Sequence, residues 1–451
     1  MTDSPQKIAV IGAGIAGLSA AWLLSQKYDV VVFEKNLHLG GHANTYRMNI
    51  NGKILDLDTG FIVYNEINYP NLVSLFNYLN ISTQNSDMSF SFSNLNTKFE
   101  YSSDIIKSLF AQKSNILRPD FWFMVLDIIQ FYRRAKSDLE KGRLKGLNLG
   151  EYLSLGNYSK AFVEYHLLPM GSAIWSASEK DMKNYPAESF IRFFVNHDLL
   201  TLGKRSKWRT VKGGSHIYIK KLVNEIKKNK IVHEEITEII RRENSVLLTN
   251  VYGHKYSFDH VVIATHADEA LKLLEKPNYL EEQLLKTFNY TKNTAYLHTD
   301  KSFMPQKNES WSSWNYIVSN KEEGNAPVVT YWLNRLQNIN SQDEIFVTLN
   351  PHTLPSNDLI IDKFCYNHPV FDNQALRSQK KLMKIQGIER TWFCGSYFGN
   401  GFHEDALDSG LNVAEILGKT RRPWNTDSST FLPNHSSENL FPSTLKYLLK
   451  N

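Results

Sequence analysis

Gly12, Gly14 and Gly17 stand in the order Gly12-Ala13-Gly14-Ile15-Ala16-Gly17, directly after the β-branched run "KIAVI". The first glycine allows a tight turn, the second lets backbone approach a pyrophosphate, and the third lets a helix pack closely on a strand. "LSAAWLLSQKY" continues with a helical apolar period, and "DVVVFEK" reads as a second buried strand ending on Glu34. A strand, turn, helix, strand and acid in this order predict a dinucleotide site. The helix N-terminus faces the phosphates, Glu34 accepts from a ribose, and a 2′-phosphate is repelled. NAD and FAD share these features, so this unit does not choose between them.

A second glycine pair, Gly40-Gly41 in "LGGHANTY", fits a loop crossing a pyrophosphate again, which an NAD site does not need. Thr59-Gly60-Phe61 in "LDLDTGFIVYNEINYPNL" reads as a further turn. Near the other end, "TWFCGSYFGNGFHEDALDSGLNVAEIL" places a short apolar pulse before small residues and then a helical run. His403 and Glu404 in its "FHED" are the candidate proton acceptors, with His266 and His298 as weaker ones expected to be buried and hydrogen-bonded. Cys365 and Cys394 are the only cysteines and no HExxH pattern occurs, so no metal site or disulfide framework is expected.

The elements that must position these residues are spread along the chain. "VKGGSHIYIKKLVNEI" reads as a turn and an amphipathic helix, and "FDHVVIATHADEALKLL" as a buried strand, then a helix. The order of these pieces resembles the flavin-containing amine oxidase superfamily, which includes protoporphyrinogen oxidases and carotenoid desaturases. The resemblance rests on the glycine motif with Glu34, the pairs Gly40-Gly41 and Gly213-Gly214, the "VVIAT" strand and the closing segment. It implies an α/β fold with a Rossmann-like FAD-binding domain of the glutathione-reductase type, assembled from separated segments, beside an α+β substrate domain.

By that resemblance FAD is held by Gly12, Gly14, Ile15, Ala16, Gly17, Glu34, Lys35, Gly40, Gly41, His42, Ala43, Asn44, Thr59, Gly60, Phe61, Ile236, Ala264, Gly395, Ser396, Phe402, His403 and Ala406. The closing helix then directs its N-terminus at the flavin ring, which answers why both ends of the chain carry a glycine-rich turn. Two positions depart from the pattern: His42 stands where an arginine is usual, and Ser396 where an acid is usual.

A narrower resemblance rests on "GGHANTY", "DTGFIVYNEINYPNL", "WSSWNY" and "RRPW". It points to a bacterial group of FAD-dependent oxidoreductases that accompany cyclopropane-fatty-acid-synthase-like methyltransferases. That implies a hydrophobic, fatty-acyl substrate that is desaturated or oxidised, with a methyltransferase as pathway partner. A soluble amine oxidase producing hydrogen peroxide and a flavin-dependent fatty-acid isomerase are the alternatives.

The expected division is 1–76, 205–274 and 373–420 for FAD, 77–204 and 275–372 for substrate, and 421–451 as a C-terminal arm. Within the substrate part, "PDFWFMVLDIIQFYRRAK" reads as an apolar helix with a basic end, belonging to the core, to a lipid tunnel or to a membrane surface. "AYLHTD", "WSSWNYIV", "VVTYWLN" and "IFVTLN" read as strands, with Trp314, Tyr316, Tyr331 and Trp332 as candidate pocket walls.

Composition fits a globular chain of two or three domains: 451 residues, 42% hydrophobic, 22% charged and net charge +5. The basic pairs Lys227–Lys228, Arg241–Arg242 and Arg421–Arg422 lack aromatic interleaving, so no nucleic-acid partner is expected and the charges read as solvated. No basic leader with an apolar core opens the chain and no run of about 18 apolar residues occurs. The expected setting is cytoplasmic, with peripheral contact on the inner membrane face as the alternative.

Overall fold

The computed structural model describes residues 5–50, 52–103, 112–175, 177–201, 207–226, 230–318 and 328–425. Lys227–Lys228 and the arm beyond residue 425 lie outside them.

The strand Lys7–Ile11 is almost wholly buried because β-branched and small residues fill both of its faces. It lies at the centre of a five-stranded parallel sheet, between Asp29–Phe33 and His260–Ile263. Ile231–Val232 and Thr391–Phe393 form the edges. The first helix, Ile15–Leu24, is apolar all round and buried throughout, as a helix enclosed on every side must be. Its partner is the closing helix His403–Gly418. A Cβ on Gly410 would stand 2.1 Å from the Ala16 carbonyl oxygen, so this glycine sets how closely the two helices approach. Ser19 Oγ reaches the Leu407 carbonyl across the contact, at 3.3 Å.

The second large layer is a seven-stranded sheet. It takes Phe90–Asn94 and Phe99–Ser102 from early in the chain, and Asn289–His298, Trp314–Val318, Val328–Trp332, Phe346–Leu349 and Ile360–Val370 from later. The three strands that sequence patterning left out are Phe90–Asn94, Phe99–Ser102 and Ile360–Val370. The first two are buried on both faces and so show no alternation. One face carries Phe90, Phe92, Trp314 and Tyr316 by register. The opposite face is a buried polar layer, with Ser91 Oγ bonded to Asn315 at 2.7 Å and the Thr330 and Thr348 hydroxyls 2.8 Å apart. Helices between residues 119 and 196 cover the aromatic face and bring Phe121, Phe131, Phe162, Phe190 and Phe194 into the largest apolar cluster.

In two of the basic pairs one arginine is not solvated, while Arg242 and Arg421 are exposed. Arg241 pairs at 2.6 Å with the fully buried Glu281. Arg422 is half-buried with its side chain 8% exposed, pairs with Asp408 at 2.7 Å and Glu415 at 2.8 Å, and donates to Asn71. Two residues on, Trp424 stacks on Trp22 with ring centroids 5.8 Å apart. "RRPW" therefore clamps the closing helix to the helix Pro70–Tyr78 and to the first helix.

Candidate functional site

One cavity of 1020 Å³ runs between the parallel sheet and the seven-stranded sheet. This is the upper end of the range for ligand sites, about 300–1,000 Å³, and suits an extended ligand together with a second one.

At one end the walls are mainly backbone. Gly12 follows its strand with φ +101°, and a Cβ there would meet the Ala264 carbonyl oxygen at 2.9 Å. A Cβ on Gly17 would sit 1.9 Å from the Gly12 oxygen. Gly14 differs: a Cβ there would meet nothing within 4 Å, because it faces open cavity. The first helix begins at this point with no side-chain cap on its exposed N–H groups. The second glycine loop lies against the first, with Gly40 N–H donating to the Ala13 carbonyl at 2.8 Å and a Cβ on Gly41 falling 3.2 Å from Gly14 Cα. Glu34 lines this end, and its carboxylate accepts from the Ala13 N–H at 2.8 Å and from Asn36 at 3.0 Å. Lys35, Ile236, Glu234, Glu235 and Glu269 border the same region.

In the middle, the 42–44 and 59–61 turns are clasped. Phe61 N–H donates to the His42 carbonyl at 2.7 Å, and the Thr59 and Tyr366 hydroxyls are 2.7 Å apart. Asn44 donates to both hydroxyls. His42, His266 and His368 gather here, with the His42 ring 6.4 and 5.4 Å from the other two by centroid. Burial lowers all three, His368 to about 4, and neighbouring rings lower His42 and His368 further, so the group is uncharged near neutrality. Among the described residues, no set of three His, Cys, Asp or Glu side chains could hold a metal ion.

His403 stacks on Phe61 with centroids 4.0 Å apart, and its Nε2 lies 2.6 Å from the Tyr218 hydroxyl. Burial pushes it down to about 3. Of the residues named from the sequence for the cofactor, all but Gly17 and Ala43 line the cavity. Gly17 acts through packing, and Ala43 is fully buried in the core behind the loop. Glu404 corrects the sequence reading: it does not reach the cavity. Its carboxylate accepts from the Asn71 and Leu72 N–H groups at 2.8 and 2.9 Å, capping the helix Pro70–Tyr78. Burial pushes it up to about 8 against those two donors.

The far end is lined by side chains: Phe90, Tyr132, Met170, Ile174, Phe193 and Trp314 represent its character, with Tyr331 and Phe364 beyond. Tyr316 and Trp332 are not among the walls. Tyr316 points its hydroxyl at Glu179, and Trp332 donates to Glu344. His298 is likewise away from the cavity, bonded to the Thr348 hydroxyl at 2.7 Å. No Asp, Glu, Lys or Arg borders this end among the described residues.

Sequence reasoning passed over His197. Its ring stacks on Phe193 at 3.7 Å, and Phe193 stacks on Phe402 at 4.8 Å, so it stands one ring away from the residue before His403. Nδ1 lies 2.9 Å from the Phe193 carbonyl, which can only accept, so Nδ1 carries the proton and Nε2 of the neutral ring keeps its lone pair. Burial lowers this ring to about 4. The histidine four residues after a phenylalanine on one helix was the available signal, but such a pair is ordinary in a core.

The model of the flavin containing amine oxidoreductases matches residues 15–417. The chain belongs to this family. It is a flavin-dependent oxidoreductase of the amine oxidase superfamily, and its cofactor is FAD. The family's fold is seen in the cyclohexylamine oxidase of Brevibacterium oxydans IH-35A, with TM-score 0.68 and 14% identity over 92% of this chain and 99% of that one. It is seen again in the CLA-producing fatty acid isomerase of P. acnes, with TM-score 0.64 and 16% identity over 92% and 98%. At these identities the likeness is one of fold.

The chain spans about a tenth of the length of the curated relatives it matches here. An L-amino-acid oxidase of Demansia vestigiata is 40% identical over 57 residues, 12% of this chain and 11% of the relative. A 4,4'-diapophytoene desaturase of Staphylococcus aureus (strain bovine RF122 / ET3-1) is 56% identical over 39 residues, 8% of each chain.

The residues present fit FAD. The open face of Gly14, the uncapped helix start and the crossed glycine loops form a cradle of N–H groups for a pyrophosphate. Glu34 is placed beside it for a ribose. His42, where the family pattern has arginine, offers an uncharged ring instead of a fixed cation.

Proposed function

We propose that this oxidoreductase acts on a neutral, apolar substrate, an unsaturated or methyl-branched fatty-acyl chain, and removes hydrogen from it. The observation that carries this reading is that no charged side chain borders the far end of the cavity among the described residues. A primary ammonium or an amino-acid carboxylate buried there would lack an opposite charge, and burying an unpaired ion is far costlier than burying a methylene chain. An acyl chain finds aromatic and aliphatic walls instead, at about 25 cal/mol per Å² of apolar surface covered.

When bound, FAD supplies a two-electron hydride acceptor. The chain's own part is to position and to move a proton. Phe193, Phe402 and Trp314 hold the substrate and exclude water. His197 Nε2 takes the proton from the carbon next to the one oxidised, leaving a double bond. A ring lowered to about 4 is a weak base, which suffices because a C–H bond beside an electron-deficient carbon is strongly acidic. Tyr218 and Phe61 fix the His403 ring beside the loop that opens the closing helix. The likeness to a methyltransferase-associated group supports a methylated acyl chain as the substrate.

Isomerisation of an unsaturated acid would use the same apolar walls, and a protein of this fold is a fatty acid isomerase. Anaerobic mixing of the FAD-loaded protein with unsaturated and methyl-branched acyl lipids separates these readings. Oxidation bleaches the visible flavin band in proportion to product, whereas isomerisation changes the lipid without net bleaching. Faster bleaching by a polyamine or amino acid than by any acyl lipid would sink the proposal.

A further inference from the structure

Residues 116–126 break the usual pattern of a protein surface. Among the described residues, five of the fourteen large exposed apolar side chains fall in this one stretch: Ile116, Leu117, Trp122, Phe123 and Leu126. Leu117 is 86% exposed and Leu126 62%. The helix Pro119–Glu140 buries Phe121, Met124, Phe131, Tyr132 and Ala135 on its inner face. Its first two outer turns carry Trp122, Phe123 and Leu126 where a helix on a water-facing surface carries polar residues. The Trp122 indole is held by a hydrogen bond to the Ile116 carbonyl at 2.9 Å, which ties the preceding turn to the helix and makes one continuous patch. A patch of this kind marks an interaction site.

Charge selects the occupant. Residues 112–136 hold five basic side chains (Lys113, Arg118, Arg133, Arg134 and Lys136) against two acidic ones, Asp120 and Asp127. Arg118 is paired with Asp120 at 3.0 Å, and Asp127 accepts from the Ser159 N–H at 2.7 Å, so both acids are engaged. Lys113, Arg133 and Lys136 are exposed. Arg133 follows Phe123 by about 15 Å along the helix at 1.5 Å per residue. An apolar tip with a cationic belt at that height matches a headgroup layer above acyl chains, where such tips sink about 5–10 Å. No described helix is long and apolar enough to cross a membrane, so the contact is with one face.

We propose that residues 113–136 seat this protein on an anionic lipid surface and that the same helix leads to the cavity. Tyr132, on the inner side of this helix, lines the cavity about 9 Å along the axis from Leu126. The seat deepens the acyl-substrate reading by giving the lipid an origin, but its test uses no turnover, so either can fail alone.

The test is co-sedimentation of the full-length, FAD-loaded protein with vesicles of phosphatidylglycerol and phosphatidylcholine in equal parts, and of phosphatidylcholine alone. The wild type should pellet with the mixed vesicles and much less with the neutral ones, and high salt should release it. The triple variant Leu117→Asp, Phe123→Asp, Leu126→Asp should partition roughly tenfold more weakly or worse, from lost apolar burial. The control Leu37→Asp, Tyr252→Asp, at exposed apolar positions elsewhere, should bind as wild type. Lys113→Glu, Arg133→Glu should lose only the preference for anionic vesicles. Unchanged flavin absorbance and melting temperature certify folding of each variant. A wild type that stays in solution, or a triple variant that pellets equally, overturns the proposal. A wild-type dimer that becomes monomeric in the triple variant, without vesicle binding, assigns the patch to a second copy instead.

Discussion

The two ends of the cavity are built by different means. The cofactor end is shaped by backbone: glycines at 12, 14, 40 and 41, a helix start, and carboxylates at its rim. The far end is shaped by side chains from strands and helices distant in sequence, and it carries no formal charge among the described residues. Backbone geometry tolerates few residue types, so the first end is common to a family. Side-chain walls of similar volume are interchangeable at modest cost, so the second end is free to diverge with substrate.

The largest effect is expected from glycine replacements at the cofactor end. Gly17→Val puts a side chain where even a Cβ stands 1.9 Å from the Gly12 oxygen, so the turn cannot close. The variant should lose FAD and fold together, by several times the roughly 1 kcal/mol typical of point changes. Gly14→Ala adds a methyl group to open space. It should melt as the wild type does without cofactor, yet bind FAD roughly tenfold more weakly, because the methyl stands where the pyrophosphate approaches. Circular dichroism melts and flavin stoichiometry distinguish the two. If both variants lose only flavin, the packing role given to Gly17 is wrong.

At the far end, His197→Gln should leave flavin content unchanged and lower kcat by roughly 10²–10⁴, the usual share of a positioned base. The wild-type rate should be flat through neutrality and fall only as pH drops through about 4, where the ring is protonated and its lone pair is lost. His403→Gln should instead alter flavin binding or potential. A His197→Gln enzyme of wild-type rate would return proton transfer to another group.

This contrast also explains what was legible in the sequence. The glycine turns, Glu34 and the closing helix follow from local spacing, because a turn, a strand end and a helix start are each set by neighbouring residues. The cavity walls were partly legible: Trp314 and Tyr331 line it, but Tyr316, two residues along the same strand face, lies past its edge. Alternation gives the face but not where the cavity ends. Glu404 was misread because an acid beside a flavin-facing loop looks catalytic, while the helix it caps begins at Pro70, far away in sequence. The charge of Arg422 was misread as solvated for a related reason: its acids lie on the closing helix, but Asn71, and the Trp22 on which Trp424 stacks, come from the other end of the chain.

A smaller effect should appear between substrates. A neutral acyl ester and an alkylammonium of equal length offer the same apolar surface, but only the second brings a charge. With no carboxylate at the far end among the described residues, kcat/KM should favour the neutral compound by roughly a hundredfold or more, the cost of an unpaired buried ion after partial relaxation. Equal values would mean that the cavity takes up a counter-charge from elsewhere in the chain, and the contrast between its ends would narrow.

The last expected effect is on stability against pH, where opposing limbs partly cancel. Asp405 and Glu404, at the start of the closing helix, are raised by burial to about 7 and about 8. Asp58, behind the 59–61 turn, is raised by burial to about 7 despite donors from Thr45 and Ser215. A carboxyl raised above its unfolded value of about 4 contributes stability that is present below that value and fades as pH climbs through the folded one. Their loss therefore falls between about pH 4 and 8, where each group costs at most roughly 1.4 kcal/mol for every tenfold drop in proton concentration. The histidines lowered by burial act in the opposite sense. His197, His298 and His368, lowered to about 4, and His403, lowered to about 3, favour folding above the unfolded value near 6.5 and lose that contribution as pH falls through their folded values; these four outweigh the three carboxyls below about pH 6.5. The melting temperature should thus peak on the mildly acid side of neutrality and decline both ways. Glu404→Gln should flatten only the alkaline limb, because an amide keeps its bulk and cannot ionise. His197→Gln should flatten only the acid one. A single variant that flattened both limbs would show that the two ends titrate as one unit, and the division between a backbone-built end and a side-chain-built end would not extend to their electrostatics.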